Sequence, residues 1–249
     1  MDFKSRQQIL LEAINAASNI IVFTGAGIST ESGVPDYRSP GGLWHKFEPI
    51  MYEDFVSSEE TRREDWRRRF ILNDEFKKAE PNNGHLAIVE LQKQNRLLRV
   101  ITQNVDGLHQ RSGLSDDNVI ELHGNCTYAT CLTCAKPYSF EKCHEKIETT
   151  DQSPLCDECG GLLKAAVINF GQAMPLDAMM QAEDDARACD LFIVLGSSLQ
   201  VYPAAALPQI AKRNGAKLFI INRDPTPLDH LADFVLNAEL GRSLHPLII

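Results

Sequence analysis

Apolar runs too short to be helices alternate along this chain with longer stretches in which apolar residues recur at helical spacing. The runs predict strands over 20–23, 97–102, 118–122, 165–169, 191–195 and 217–221. Helices are predicted between them over 3–18, 84–94, 176–188 and 203–213. The first carries Ile9, Leu10, Ala13, Ile14 and Ala17 on one face. Strands separated by helices of roughly ten residues build parallel βαβ units. The expected fold is therefore α/β, a Rossmann-like doubly wound parallel sheet.

From Pro40 to Pro81 the alternation stops. Aromatic and charged residues sit at helical spacing there, prolines mark both margins and no buried strand occurs, which predicts a helical insertion. No internal repeat is visible. The expected division is a nucleotide-binding domain built from 1–40, 84–125 and 166–249, a helical module at 41–83 and a smaller cysteine-bearing module at 126–165.

Polar residues cluster where the predicted strands end. The first strand opens into Gly25-Ala26-Gly27-Ile28-Ser29-Thr30, and strand-to-glycine turns present backbone N–H groups to phosphates. The dinucleotide fingerprint fails at its sixth position, where Thr30 replaces glycine and the next glycine is Gly33. No acidic residue follows at ribose-binding distance. That stretch alone leaves nucleotide binding and a structural corner equally open. Gln103, Asn104 and Asp106 follow the second strand, His123-Gly124 the third, Gly196-Ser197-Ser198 a later one and Asn222-Arg223-Asp224 the last. Five polar strand ends along one edge favour nucleotide binding, with Asn222 able to take the ribose role of the missing acid.

The chain has 249 residues, 43% of them apolar, enough to bury a substantial core. A net charge of −9 argues against a general nucleic-acid binder. Arg62, Arg63, Arg67, Arg68 and Arg69 are interleaved with acidic residues and read as a solvated helix face. No apolar run is long enough for a membrane span, and the N-terminus lacks an apolar signal core, so a cytoplasmic location is expected.

Seven cysteines include two pairs, Cys131-x-x-Cys134 and Cys156-x-x-Cys159, separated by 21 residues. Such paired turns supply four thiolates for one tetrahedral zinc, and a closed four-sulfur shell makes that zinc structural. Cys126, Cys143, His144 and Cys189 lack pair spacing; Cys189 is read as core.

With these residues in place the chain resembles the Sir2 family, the NAD-dependent protein deacylases. The resemblance rests on Gly25 through Ser29, Gly33-Val34-Pro35-Asp36-Tyr37-Arg38, Pro81-Asn82 with His85, and Thr102 through Asp106. It continues through His123-Gly124, the cysteine pairs, Phe170-Gly171, Gly196 through Pro203, and Ile221-Asn222. It implies that Gly25, Ala26, Gly27, Ser29 and Thr30, with Gly196, Ser197 and Ser198, receive the NAD pyrophosphate. Pro35, Asp36, Tyr37 and Arg38 belong to a loop over the nicotinamide ribose. Gln103 and Asn104 contact that ribose, and Asp106 holds the carboxamide. Asn222, with Arg223 and Asp224, lies at the adenosine ribose.

In the implied reaction the acyl oxygen of a modified lysine attacks the anomeric carbon as nicotinamide leaves, and His123 is the general base. Ile168, Phe170 and Gly171 would pair with an acylated-lysine peptide. The sequence departs from the family's Val-x-Phe-Gly-Glu here, with Ile168-Asn169-Phe170-Gly171-Gln172. It also lacks the Tyr-x-x-Arg pair of desuccinylating members, since no tyrosine lies between Tyr52 and Tyr128. Acetyl or another neutral acyl group is therefore expected. Two alternatives stand beside deacylation: a protein ADP-ribosyltransferase on the same fold, and a non-catalytic NAD-binding zinc module. The presence of His123 and Asn104 argues against the second.

Overall fold

The computed structural model describes residues 1–248. Along the chain run α1 (Phe3–Ala16), β1 (Ile20–Thr24), α2 (Leu43–Lys46), α3 (Tyr52–Ser57), α4 (Glu59–Lys78), α5 (Asn83–Lys93) and β2 (Leu97–Thr102). Next come α6 (Leu108–Arg111), β3 (Val119–Glu121), β4 (Gly124–Cys131), β5 (Pro137–Ser139), α7 (Phe140–Thr150) and β6 (Leu163–Val167). The last stretch holds α8 (Leu176–Ala188), β7 (Leu191–Leu195), α9 (Leu207–Arg213), β8 (Lys217–Ile221), β9 (Phe234–Leu236) and α10 (Leu240–Leu244).

Six strands form one sheet in the order β3-β2-β1-β7-β8-β9, and every neighbouring pair is parallel. Helices cover both faces, which is why the central strands read as unbroken apolar runs. Ile20 and Val22 of β1 pack with Leu10 and Ile14 of α1 and with Ile88 and Leu91 of α5. Ile21 and Phe23 point the other way, into Ala182 and Ala186 of α8 and Leu207 of α9. Burying each large side chain contributes about 1.5–3 kcal/mol, so a polar residue in either face of β1 or β7 would be costly. The strand order reverses between β1 and β7, and open α/β sheets take their ligands at the carboxyl edge of that reversal.

The helical insertion forms as expected, as α2, α3 and α4. A third apolar cluster fastens it to the cysteine module: Trp66 and Phe76 of α4 pack with Phe140, Cys143 and Leu163. Ser58 caps α4 by accepting the Thr61 N–H at 3.2 Å. Arg67 and Arg68 share Glu64 on the outer side of this helix. Arg69 departs from the expected solvated face. It turns inward to Asp65, whose side chain is 3% exposed. The i,i+4 spacing that suggests a surface pair is the same spacing that lets a pair be buried together.

One strand expected in the large sheet lies elsewhere. The run predicted over 165–169 forms β6, which pairs antiparallel with β4 (Ala129 opposite Ala165) in a separate sheet of order β5-β4-β6. A buried apolar run reads alike in either sheet, and its partner β4 is rich in polar and cysteine residues that hide the pairing. The short β9 and α10 carried no periodic signal. No helix among the described residues is long and apolar enough to cross a membrane.

Candidate active site

The loops after β1, β2, β3, β7 and β8 meet around one crevice of about 950 Å³. Gly25, Ala26, Gly27 and Thr30 line it from the first loop, and Gln103 and Asn104 from the second. His123, Gly196, Ser197 and Ser198 follow, and Asn222, Arg223 and Asp224 close the far side. Asp36, Tyr37 and Arg38 border it from the insertion side, while Ile168, Phe170 and Gly171 form the wall after β6. Ser29, Pro35 and Asp106 do not line it.

The glycines are dictated by a backbone crossing. Gly27 N–H donates to the Gly196 carbonyl at 2.9 Å and Gly25 N–H to the Leu195 carbonyl at 3.2 Å. A Cβ on Gly27 would come within 2.7 Å of the Gly196 oxygen, and one on Gly25 within 2.9 Å of Ser197. These bonds leave the Ala26 N–H without an acceptor among the described residues. An unpaired N–H at the edge of a crevice is what a pyrophosphate requires.

Ser29 and Asp106 work from beneath. Ser29 Oγ donates to Asp106 Oδ2 at 2.7 Å, and Asp106 Oδ1 accepts the Leu108 N–H at 3.0 Å. Burial raises the Asp106 pKa, and both carboxylate oxygens are occupied within the chain. Asn104 is tied to the same unit, its Nδ2 donating to the Gly25 carbonyl at 3.1 Å and to Ser29 Oγ at 3.2 Å.

His123 lies 3.1 Å from the Gln103 carbonyl through Nδ1. A carbonyl only accepts, so Nδ1 carries the proton and Nε2 keeps its lone pair. Burial lowers the His123 pKa, partly opposed by the Gln103 bond. The ring is a neutral base with one defined basic atom.

On the insertion side, Asp36 folds the loop back on itself, accepting from Ser39 N at 2.7 Å and Arg38 N at 3.1 Å. Tyr37 packs on Trp44 with ring centroids 5.6 Å apart, and Trp44 on Phe170 at 5.9 Å. Arg69 Nη2 donates to Asn169 Oδ1 at 3.1 Å and meets Asp65 Oδ1 at 3.3 Å, so this wall of the crevice carries a compensated ion pair. Sequence reasoning gave no site role to Trp44, Asp65, Glu239 or Leu240, which also line the crevice, nor to Tyr202 beyond its place in the stretch from Gly196 to Pro203. A pattern could have flagged only the aromatics Trp44 and Tyr202.

The sulfurs of Cys131, Cys134, Cys156 and Cys159 lie within 4.8 Å of one another. Cys131 to Cys159 is 3.5 Å and Cys134 to Cys156 is 3.7 Å. A tetrahedral zinc with bonds of about 2.3 Å spaces its sulfurs by about 3.8 Å, so the cage fits. The Tyr138 hydroxyl, 3.2 Å from Cys156 Sγ, holds that thiol down to about 6, favouring the thiolate. A Cβ on Gly161 would come within 2.9 Å of Cys131 Sγ, so this glycine is needed for closure. Cys126 and Cys143 are buried outside the cage, and His144 packs edge-on against Phe70 with centroids at 4.8 Å. Four thiolates leave no position for a substrate.

The Sir2 family pattern matches residues 25–203. The chain belongs to the Sir2 family. It is 49% identical over 237 residues to an "NAD-dependent protein deacetylase" of Rhodopseudomonas palustris, covering 95% of this chain and 94% of that protein. "NAD-dependent protein deacetylase 1" of Bradyrhizobium diazoefficiens is 47% identical, covering 99% and 97%. Solved Sir2 structures superpose closely. A Sir2 variant with deacetylated p53 peptide and 3′-O-acetyl ADP-ribose gives a TM-score of 0.89 at 37% identity, covering 98% and 97%. Sir2Tm bound to a propionylated peptide gives 0.86 at 35% identity, covering 98% and 97%.

Two measurements check this geometry. Metal analysis should find one zinc per chain, and removing it with a strong chelator should open the β4–β6 module to proteolysis, because structural zinc contributes folding energy; an unchanged digestion pattern in a verified zinc-free sample counts against the cage. NMR titration of His123 should give a midpoint below 6.5, since burial favours the neutral ring; a midpoint at or above 6.5 contradicts that environment.

Proposed function

We propose that this chain is an NAD-dependent protein-lysine deacetylase that consumes NAD and releases nicotinamide and an acyl-ADP-ribose. One observation carries the reading. His123, its Nδ1–H held by the Gln103 carbonyl, offers Nε2 in the crevice that also contains the glycine cradle and Asn104. A pure NAD-binding module has no use for an oriented neutral base there. The names of the relatives and the peptide-bound structures support the same reading.

NAD supplies an electrophilic anomeric carbon and a leaving nicotinamide. Ala26 N–H, between its glycines, and Ser197 and Ser198 across the crossing orient the pyrophosphate. Gln103 and Asn104 hold the nicotinamide ribose, and Asn222, Arg223 and Asp224 the adenosine ribose. His123 Nε2 accepts a proton from a ribose hydroxyl, leaving that oxygen free to attack the acyl carbon. Tyr37, Trp44 and Phe170 exclude water from the reacting centre. The peptide pairs along Ile168 to Gly171 by main-chain hydrogen bonds, which tolerates the changes from the family sequence there. Asp106, bonded to Ser29 beneath Asn104, holds the nicotinamide carboxamide, and Pro35 belongs to the loop over the nicotinamide ribose. The proposed division follows: an NAD-binding sheet domain, the 41–83 helical module, and a zinc module enlarged from 126–165 to include all of β4 and β6. Zinc-ligating thiolates suit the reducing cytoplasm.

The acyl group is proposed to be neutral. Arg69 is the guanidinium in the crevice wall nearest the β6 loop, and Asp65 neutralises it at 3.3 Å. An acidic acyl chain entering there would meet a carboxylate beside the arginine.

The deciding experiment incubates the protein with NAD and an acetyl-lysine peptide and follows nicotinamide and peptide mass. Nicotinamide release with loss of acetyl is expected, and His123→Ala should lower that rate by about 10²–10⁴ with NAD affinity retained. A mass gain of ADP-ribose on protein would establish the transferase alternative; no nicotinamide under any condition would leave only the non-catalytic module. In a panel of acylated peptides, wild type should favour acetyl over succinyl, and Asp65→Asn should raise the succinyl rate relative to acetyl. Equal ratios in the two proteins would remove Asp65 from acyl selection.

A further inference from the structure

Two buried histidines outside the crevice each carry a ring nitrogen without a partner. His85 is the third residue of α5 and is 0% exposed; His109 on α6 is 2% exposed. Their rings meet edge to face with centroids 5.1 Å apart. The unpartnered atoms are His85 Nε2 and His109 Nδ1.

Their tautomers follow from the bonds they do make. His85 Nδ1 accepts the Asn82 N–H at 3.3 Å, so the proton of the neutral ring sits on Nε2. Thr24 Oγ1 donates to Thr102 Oγ1 at 2.8 Å and lies 2.8 Å from His109 Nε2. Having given its own proton to Thr102, the Thr24 oxygen accepts from His109, which places that proton on Nε2 and leaves Nδ1 a lone pair. One orphan is thus a donor and the other an acceptor, on touching rings. A buried unsatisfied polar group costs about 1–3 kcal/mol, so a donor and an acceptor orphaned on touching rings favour a link between them. Burial keeps both rings neutral near pH 7: it lowers the His85 pKa to about 4 and that of His109, also opposed by His85, well below 6.5.

The far end of this chain reaches the reacting centre. Thr102 Oγ1 also accepts the backbone N–H of Asn104, at 3.0 Å. We propose that His85, His109, Thr24 and Thr102 form one continuous polar chain that positions Asn104, anchored by a donor–acceptor link between the two imidazoles. This rests on the reading of Asn104 as a ribose-contacting catalytic residue; His85 and His109 are positioning residues. The chain crosses under the glycine cradle, because Thr24 is the last residue of β1 and Asn82 caps α5 while donating to the Ile28 carbonyl at 2.7 Å.

The test compares His109→Leu, which abolishes both ring contacts, with His109→Gln, whose amide keeps a donor for Thr24 and an acceptor for His85. His109→Leu should lower kcat for deacetylation by about tenfold or more, with KM for NAD changed less than about twofold, since a displaced catalytic group costs rate and spares uniform binding. His109→Gln should recover most of kcat. Unchanged kcat in His109→Leu overturns the proposal, as does a glutamine variant no better than leucine. Long-range ¹⁵N NMR of the wild type gives a second readout that needs no variant to fold. Nε2–H tautomers on both His85 and His109 are expected, and an Nδ1–H tautomer on His109 overturns the link. A wild type that folds but releases no nicotinamide would refute the functional reading, and the NMR result would still decide whether the imidazole link exists.

Discussion

Two backbones touch where the sheet reverses, and the rest of the site depends on that contact. Gly27 N–H bonds the Gly196 carbonyl at 2.9 Å, and neither position has room for a Cβ. The crossing joins the end of β1 to the end of β7, so the halves of the sheet are fixed relative to each other at the ligand edge. It also spends the glycine N–H groups inside the protein, leaving Ala26 to face the crevice. In a redox Rossmann turn a third glycine lets helix and strand approach. Here Gly196 comes from the opposite half of the sheet, and Thr30 turns its hydroxyl back to the Gly27 carbonyl at 2.9 Å. The imperfect fingerprint is the sequence mark of a different turn.

Beneath the crossing the polar groups are buried, neutral or fully occupied. Asp106 meets Ser29 there, and its two oxygens accept from Ser29 and Leu108. Leaving any of these groups unmatched would cost about as much as one hydrogen bond is worth, or more. That penalty favours a single arrangement of Gly25, Ser29 and Asn104, and pre-arranged groups need no reorganisation when a substrate arrives.

Much of this was legible because it obeys local rules. Strands 97–102, 191–195 and 217–221 are found where the apolar runs predict them, since burial on both faces leaves a periodicity that needs no partner to be read. The cysteine pairs announce their cage because each turn is local in sequence. What failed to show depends on distant partners. The direction of β6 is set by β4, over thirty residues earlier, and nothing in the run 165–169 encodes it. That Asp106 also braces Ser29 depends on a residue 77 positions away. Arg69 looked like surface charge because its helix is richly charged, and only the packing of α4 against β6 shows which side is inside.

The stretch from Gly25 to Arg38 therefore contains two mechanical regimes with very different costs of displacement. Moving the glycine turn would break backbone bonds in a packed crossing and expose β1. The segment after Pro35 is held to the opposite half by Arg38 to Ser198 at 3.4 Å and Arg223 to Ser39 at 2.8 Å, both exposed. Exposed polar contacts of this kind contribute at most about 1 kcal/mol each. The Arg38 guanidinium over Trp44, 4.3 Å from the ring, adds about 0.5–1 kcal/mol at an exposed site. Opening that segment thus costs little beside the several kcal/mol that anchor the cradle. A site that must admit a large co-substrate and then exclude water needs this asymmetry, with the phosphates received on a fixed turn and the reacting bond covered by a cheaply displaced one.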